Sequence, residues 1–267
     1  MTNETVTVQL ANGIDPDRIE VTCGIEEMAG RHAGYRPRAI CPRVAWRTPT
    51  AGELAALTAP GLTGTTIAIA AAPASFMTKV RASGLVSGLG ELAYEALVCG
   101  RAYTSALEAA LPDLAPRLHS AEGLQVLGTS VQRGGLRSTT THMDPGEPSR
   151  FSGLHVDNWD RLPLGQRASG RRQLCINLGF ERRYFVFART DVDTAVALLG
   201  ETFTREACYI DLGRAWFARF PEAMLVRVAI APGETYVAPT DNLIHDGSTS
   251  GTRSPDVTLN LRGRFAA

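Results

Sequence analysis

The segments that decide the fold are Leu-His-Val-Asp-Asn-Trp-Asp at residues 154–160 and Leu-Ile-His-Asp-Gly-Ser at residues 243–248. Both lie among short β-branched or aromatic runs separated by Gly, Pro, Asp and Ser, a pattern typical of strands. Side chains at i and i+2 of an extended segment point to the same side, so His155 and Asp157 can bind one ion together. His245 follows a later strand-like segment, and an adjacent antiparallel strand can bring it to the same ion.

Two imidazoles and one carboxylate form the ligand set that holds non-haem Fe(II) on one face and leaves positions open for a co-substrate and O2. The carboxylate lowers the net charge of a ferrous site, whereas three histidines would suit zinc better. The sequence therefore predicts an iron site formed by His155, Asp157 and His245.

The runs around these segments predict a β-rich C-terminal part. The predicted strands are residues 124–132, 136–142, 173–178, 184–188, 225–230, 235–238 and 257–265. Seven short strands with turn residues between them indicate a sandwich or barrel. Residues 191–199 and 213–220 are predicted as inserted helices.

The N-terminal part is predicted to be rich in helices. Thr50 followed by Glu53 resembles a capping box that opens a helix through Leu57, and apolar residues recur at helical spacing from Gly88 to Leu111. We expect one α+β domain over residues 1–267. Residues 1–115 would pack as a helix-rich part on a jelly-roll (cupin-like) core that spans residues 116–267 and holds the metal site.

Composition narrows the choice of partners. Basic and acidic residues number 27 each, so no charge pattern for nucleic acid or an anionic membrane is present, and a small molecule is the expected partner.

The longest apolar run, residues 67–72, is too short to cross a bilayer. No secretion signal is visible, and five cysteines without a Cys-x-x-Cys pair suit reduced thiols. We expect a cytoplasmic protein; the sequence does not indicate its oligomeric state.

The C-terminal part resembles the non-haem Fe(II)/2-oxoglutarate-dependent oxygenases. The resemblance covers roughly residues 120–267 and is based on four segments, which are His-Val-Asp at 155–157, Gln-Leu-Cys-Ile-Asn-Leu-Gly at 173–179, Gly233–His245 and Asp256–Phe265. It is greatest to the phytanoyl-CoA-hydroxylase-like and aspartyl-hydroxylase-like branches, which include many bacterial enzymes of specialised metabolism. The resemblance implies a double-stranded β-helix, an oxidised small metabolite, for example in antibiotic biosynthesis, and succinate as co-product.

The resemblance also implies that the distal carboxylate of 2-oxoglutarate pairs with a basic residue on the last strand. Many relatives have an arginine about ten positions after the second histidine, but Asp256 stands at that place. Strand alternation puts Thr258, Asn260, Arg262 and Arg264 on one face. We rank Arg262 first as the carboxylate anchor, then Arg253 in the preceding turn, then Arg264. The alternative is that all three are surface arginines.

Four further residues are candidates for ligand contact. Asn177 could donate a hydrogen bond to the co-substrate, or it could be an ordinary core asparagine. Trp159, Arg161 and His142 are candidate substrate contacts, and the alternative is plain packing for Trp159 and a solvated loop for Arg161 and His142.

Three functions remain open at this point. The first is a 2-oxoglutarate-dependent dioxygenase that hydroxylates, desaturates or cyclises a small metabolite. The second is a cupin-like metalloenzyme that uses zinc or manganese without 2-oxoglutarate. The third is a non-catalytic jelly-roll module that binds a ligand.

Overall fold

The computed structural model describes residues 5–11, 14–28, 34–58, 65–143, 148–200 and 209–265. These residues form a mixed fold of helices and strands. The strands are β1 (Val6–Leu10), β2 (Ile19–Cys23), β3 (Ile25–Glu27), β4 (Ile40–Pro42), β5 (Thr65–Ala71), β6 (Leu118–Gln132), β7 (Thr141–His142), β8 (Arg150–Phe151), β9 (Arg172–Asn177), β10 (Arg183–Asp191), β11 (Met224–Ile230), β12 (Glu234–Ala238), β13 (Leu243–Ser248) and β14 (Asp256–Phe265). The α-helices are α1 (Ala51–Thr58), α2 (Ala74–Arg81), α3 (Glu91–Cys99), α4 (Arg101–Ala110), α5 (Val192–Leu199) and α6 (Tyr209–Arg219).

Two sheets face each other and enclose one part of the core. The larger sheet has the strand order β1-β5-β12-β9-β14-β6, and the smaller has the order β13-β10-β11-β2. Apolar side chains from both sheets pack together between them, among them Ile67, Ile69, Phe185, Phe187 and Val228. Burial of this surface from water is the main stabilising contribution to such a sandwich.

Helices cover the outer face of each sheet. Phe76 of α2 and Tyr103 of α4 pack on the larger sheet against Leu259 and Leu261 of β14. Trp216 of α6 packs with other apolar residues of α5 and α6 on the smaller sheet. Because alternate residues of β14 face the helices, Thr258, Asn260 and Arg262 point to the opposite side, between the sheets.

The N-terminal part contributes strands as well as helices, which the sequence analysis did not predict. β1 and β5 pair with each other in parallel, and β5 pairs antiparallel with β12. β2 pairs with β11 of the smaller sheet. The described part of residues 1–115 therefore contributes strands to both sheets as well as helices that cover the larger sheet.

Two predicted elements differ from the structure. The helix expected over residues 88–111 is interrupted at Gly100, whose extended backbone (φ −75°, ψ 150°) separates α3 from α4. Glycine is a poor helix former, so a break costs least there. The strand expected over residues 136–142 is limited to β7, and residues 133–140 form an irregular segment whose backbone bonds to β13, for example from Thr139 N–H to Gly247 O at 3.0 Å.

The described cysteines, which are Cys23, Cys41, Cys99 and Cys175, form no disulfide with one another, and Cys208 lies outside the described residues. Within the described part of the chain, no helix combines the length and the apolar character needed to cross a bilayer.

Candidate metal centre

The backbone places His155 directly beside His245. His155 lies in an extended segment rather than a regular strand, and it forms one antiparallel bridge with His245 of β13. The His155 N–H donates to the His245 carbonyl at 3.0 Å, and the His245 N–H donates to the His155 carbonyl at 2.8 Å. The expectation that an antiparallel neighbour delivers the second histidine agrees with this pairing.

Gly153 allows this segment to approach the rest of the fold. Its φ is +71°, a conformation that other residues rarely adopt, and a Cβ at this position would collide with the Ile40 carbonyl. Leu154 N–H donates to that same carbonyl at 2.8 Å. The glycine therefore fixes the path of the chain immediately before His155.

The three predicted ligands converge on one point. One ligand atom from each of His155, Asp157 and His245 lies within 4.8 Å of the other two. The Asp157 carboxylate is 3.5 Å from Nε2 of His155 and 3.7 Å from Nε2 of His245. Both histidines are buried at 5% exposure, so few groups other than these three compete for an ion at the centre.

Hydrogen bonds on the far side of each ring orient the imidazoles. Nδ1 of His155 bonds the Gly153 carbonyl at 2.7 Å, and Nδ1 of His245 bonds the Leu243 carbonyl at 3.0 Å. A carbonyl only accepts, so each Nδ1 carries a proton and each Nε2 is the nitrogen that faces Asp157, where it can bind a metal once it is deprotonated. This arrangement is the usual support for metal-binding histidines.

Without a metal, the three side chains share one extra proton. Burial lowers the pKa of His155, but the hydrogen bond and charge of Asp157 outweigh it and raise the pKa to about 9. Burial lowers the pKa of His245 to about 4, with Asp157 opposing the shift and His155 adding to it. Burial would raise the pKa of Asp157, but His155 and His245 hold it below its ordinary value. A bound cation would replace the proton on His155.

Metal affinity should therefore rise with pH. Below about pH 9 His155 is protonated and the metal must displace that proton, so the apparent affinity should increase about tenfold per pH unit and level off above this pKa. Titration of the metal-free chain with Co(II) between about pH 7 and pH 9 measures this slope. An affinity independent of pH over this range would contradict the shared proton.

The three ligands face a cavity of about 390 Å³ between the two sheets. Most of its wall consists of hydroxyl and amide side chains, with one aromatic residue near the solvent. The lining residues besides the three ligands are Leu127, Ser130, Gln132, Thr139, Thr140, Thr141, Trp159, Gln173, Arg183, Tyr236, Gly247 and Asn260. Trp159, a predicted substrate contact, is 52% exposed and belongs to this wall.

Arg183 places a guanidinium inside the cavity, and the sequence analysis did not identify it. Its side chain is 7% exposed, with Nε 3.6 Å from an Asp256 carboxylate oxygen. Nη1 donates to the Thr258 hydroxyl, and Nη2 donates to the Thr139 hydroxyl at 3.4 Å. Burial would lower the pKa of Arg183, but Asp256 outweighs it and holds the pKa above its ordinary value. The Asp256 carboxylate thus fixes an arginine from β10 inside the cavity.

Gly247 makes room for this guanidinium. A Cβ on Gly247 would lie against Nη2 of Arg183 and Oγ1 of Thr139. Gly247 and His245 are i and i+2 on β13, so both face the cavity, roughly 7 Å apart along the strand. The positive charge of Arg183 therefore lies about two residues along β13 from the metal ligand His245, which is roughly 7 Å.

Neither Arg262 nor Arg253 lines the cavity. Arg262 points between the sheets as its strand position predicts, but its guanidinium is fully buried and bonds Asp241 Oδ1 at 2.9 Å. Arg253 lies in an exposed turn, where its backbone N–H donates to Glu181. Arg264, the third-ranked arginine, is exposed. The geometry favours Arg183 over all three as a carboxylate anchor.

Asn177 is 1% exposed and has no place in the cavity wall. Its amide donates to the Glu181 carbonyl at 3.0 Å and to the Ile230 carbonyl at 2.9 Å, and its oxygen accepts from Gly179 N–H at 2.9 Å. These bonds stabilise the turn between β9 and β10, so the alternative of a core asparagine agrees with the structure better.

Asn177→Ala should lower the free energy of unfolding by about 3 kcal/mol, because three buried backbone groups lose their partner. The concentration of 2-oxoglutarate for half-maximal turnover should not change. Denaturant unfolding and a succinate assay measure the two effects. An unchanged free energy of unfolding, together with a tenfold higher 2-oxoglutarate concentration for half-maximal turnover, would indicate that Asn177 binds the co-substrate.

The other two candidate substrate contacts lie away from the cavity wall. Arg161 is exposed and has a positive φ of 53°. His142 belongs to β7 and pairs with Arg150 of β8, while its neighbour Thr141 reaches the cavity. Both remain predictions for a bound state, and Thr141 is the residue of this region that the structure brings to the cavity.

No protein-family model matches the sequence, and no curated protein is similar to it. Solved structures of the Kdo hydroxylase KdoO, a non-heme Fe(II) alpha-ketoglutarate-dependent dioxygenase, have some structural similarity. Two of these structures are the complex with alpha-ketoglutarate and Fe(III), at 15% identity, and the complex with cobalt(II), at 16% identity. For each of them the TM-score is 0.40, and the aligned part is 75% of this chain and 80% of the KdoO chain. The apo structure has the same TM-score and coverage at 15% identity.

Proposed function

We propose that this chain is an Fe(II)/2-oxoglutarate-dependent oxygenase with a double-stranded β-helix core. It would oxidise an unactivated C–H bond of a small specialised metabolite by hydroxylation, desaturation or oxidative cyclisation, with succinate and CO2 as co-products. One observation carries the proposal. The His155–Asp157–His245 cluster lines the same cavity as the buried guanidinium of Arg183.

The ligand set fits ferrous iron. Two imidazole nitrogens and one carboxylate come together at the wall of the cavity, which is the ligand set of non-haem Fe(II) sites with open positions. Bound iron would supply oxygen activation coupled to the oxidation of 2-oxoglutarate. The chain itself supplies the charge of Asp157, the fixed tautomer of both histidines and a cavity enclosed by the two sheets.

Arg183 fits the distal carboxylate of 2-oxoglutarate. Asp256 faces its Nε, so the two outer nitrogens remain for a bidentate bond to a carboxylate. Their present partners are hydroxyl groups of Thr139 and Thr258, which can also donate to an anion. Tyr236 lines the same cavity, and burial raises the pKa of its hydroxyl well above the ordinary value, so it stays a neutral donor. We therefore assign the anchor to Arg183 instead of Arg262.

The remaining wall supports an uncharged, polar substrate. Among the described lining residues, Arg183 and the three metal ligands are the ionisable groups other than Tyr236, and the proposal assigns each of them to iron or 2-oxoglutarate. Hydroxyl and amide groups of Ser130, Gln132 and Thr140 are left to contact the substrate. The exposed indole of Trp159 offers a flat apolar surface at the rim.

The test is an anaerobic titration of the chain with Fe(II) and 2-oxoglutarate, followed by exposure to O2. We expect a weak visible charge-transfer band when the keto acid chelates iron, and succinate after O2 is admitted. A turnover that forms no succinate would indicate a cupin-like metalloenzyme with another metal. A chain that binds no divalent metal would indicate a ligand-binding module.

A further inference from the structure

Arg262 lies at the centre of a buried ionic cluster behind the cavity. Its side chain is fully buried, with Nη1 2.9 Å from Asp241 Oδ1 and Nη2 3.3 Å from Asp160 Oδ2. Nη2 also donates to the Arg171 carbonyl at 3.1 Å. A buried guanidinium between two carboxylates is held in one position, because moving it would leave charges unpaired in a poorly solvated region.

The two carboxylates belong to the chain segments that carry the metal ligands. Asp160 follows Asp157 by three residues, and Asp241 precedes His245 by four. The segments are also bonded to each other, since the Asp160 N–H donates to Asp241 Oδ2 at 3.2 Å. Arg262, which comes from a third element, β14, thus joins both segments to the larger sheet.

Two further arginines form hydrogen bonds to the chain segment that carries Asp157. Arg171 binds Asp160 through its backbone N–H at 2.7 Å, its Nε at 2.9 Å and its Nη2 at 2.7 Å. Arg167 is 8% exposed and donates from Nη1 to the Asp157 carbonyl at 2.8 Å. Arg167 and Arg171 are therefore bonded to the segment that carries Asp157, whereas Arg161 is exposed.

We propose that Arg262 is a positioning residue of the metal centre, which sets the distance between Asp157 and His245 through its ion pairs with Asp160 and Asp241. The inference rests on the proposed metal site but not on the identity of the co-substrate. Groups that orient metal ligands without touching the metal commonly change metal affinity by 10- to 100-fold. Arg262 does this without lining the cavity.

Co(II) titration of the full chain without 2-oxoglutarate tests the proposal. Arg262→Met should weaken Co(II) binding by about 10- to 100-fold. Arg264→Met is the matched control, since Arg264 lies two residues further along β14 and is exposed, and its Co(II) affinity should stay within about twofold of wild type. All measurements are made well below the thermal midpoint of each variant.

Two conservative variants separate positioning from folding. Asp241→Asn keeps the shape of the side chain but removes its charge, and we expect weaker Co(II) binding together with a changed intensity of the Co(II) visible bands, which report ligand geometry. Arg262→Lys keeps the charge with a single donor group and should give an intermediate affinity. If Arg262→Met does not fold, these two variants decide the question.

Three outcomes would overturn the inference. If Arg262→Met binds Co(II) with wild-type affinity, the cluster does not position the ligands. If the methionine variant does not fold, wild-type affinity in both Asp241→Asn and Arg262→Lys would show the same. Wild-type Co(II) affinity with a lost 2-oxoglutarate response would make Arg262 the co-substrate anchor. A wild-type chain that binds no Co(II) would remove the metal site itself, and the proposed function would fail with it.

Discussion

His245→Ala should abolish tight metal binding and all succinate formation. The variant removes one of three ligands whose donor atoms lie within 4.8 Å of one another, and the loss of Co(II) affinity should exceed the roughly 100-fold range of outer groups. The fold should persist, because the backbone bonds between His155 and His245 do not involve the imidazole. His155→Ala and Asp157→Ala should behave in the same way.

The measurement combines a Co(II) titration, succinate analysis and a thermal unfolding curve. We expect a thermal midpoint close to that of wild type with no saturable metal binding. Full succinate production by His245→Ala would contradict the assignment of the ligand. A large decrease in the thermal midpoint would indicate that His245 stabilises the core more than it binds a metal.

Arg183→Leu should raise the 2-oxoglutarate concentration for half-maximal succinate formation by a factor of about 100. The loss of a charge-assisted bidentate bond to a carboxylate costs on the order of 3 kcal/mol, which corresponds to that factor. Co(II) affinity measured without 2-oxoglutarate should change little, because Arg183 bonds Thr139, Thr258 and Asp256 but none of the metal ligands.

Arg182→Leu is the matched control, since its exposed side chain precedes Arg183 at the start of β10. We expect this control to behave as wild type. Arg183→Leu indistinguishable from Arg182→Leu would exclude Arg183 as the anchor. A severe effect of Arg262→Leu on the 2-oxoglutarate requirement alone would return the anchor to the strand face that alternation favours, and a severe effect of Arg253→Leu would assign it to the turn before β14.

The metal ligands could be predicted from sequence because their geometry depends on local rules. The i, i+2 spacing of His155 and Asp157 puts both side chains on one side of any extended segment. One antiparallel bridge to His245 completes the set. Six of the seven strands predicted for the C-terminal part agree with the structure for the same reason, since each has its own apolar pattern between turn residues, whereas β13, which carries His245, was not predicted as a strand.

Arg183 could not be identified in this way because its role depends on tertiary register. Beside Arg182 it resembles a turn residue, and the strand was predicted to begin one position later, at Tyr184. Extending the strand by one residue would have put Arg183 on the same face as Phe185 and Phe187, between the sheets. Asp256, an acidic residue at the place where the resemblance implied an arginine, was the other available signal.

The strands of the N-terminal part were missed because β1, β2 and β5 are short and are stabilised by partners far away in the chain. β5 pairs with β12, and β2 pairs with β11. Pairing between strands that are so far apart in the sequence cannot be recognised from the local composition of either strand. Tertiary packing decides the strand state of such segments more than intrinsic preference does.

The position of β14 within the larger sheet has a consequence for how the protein is made. β14 is inserted between β9 and β6, so strands synthesised earlier stay unpaired on one edge until residues 256–265 have left the ribosome. Unpaired edges and long-range contacts slow folding and expose nascent chains to aggregation. Iron loading should therefore be a late event in biogenesis, and chaperones that shield strand edges should raise the yield of metallated enzyme.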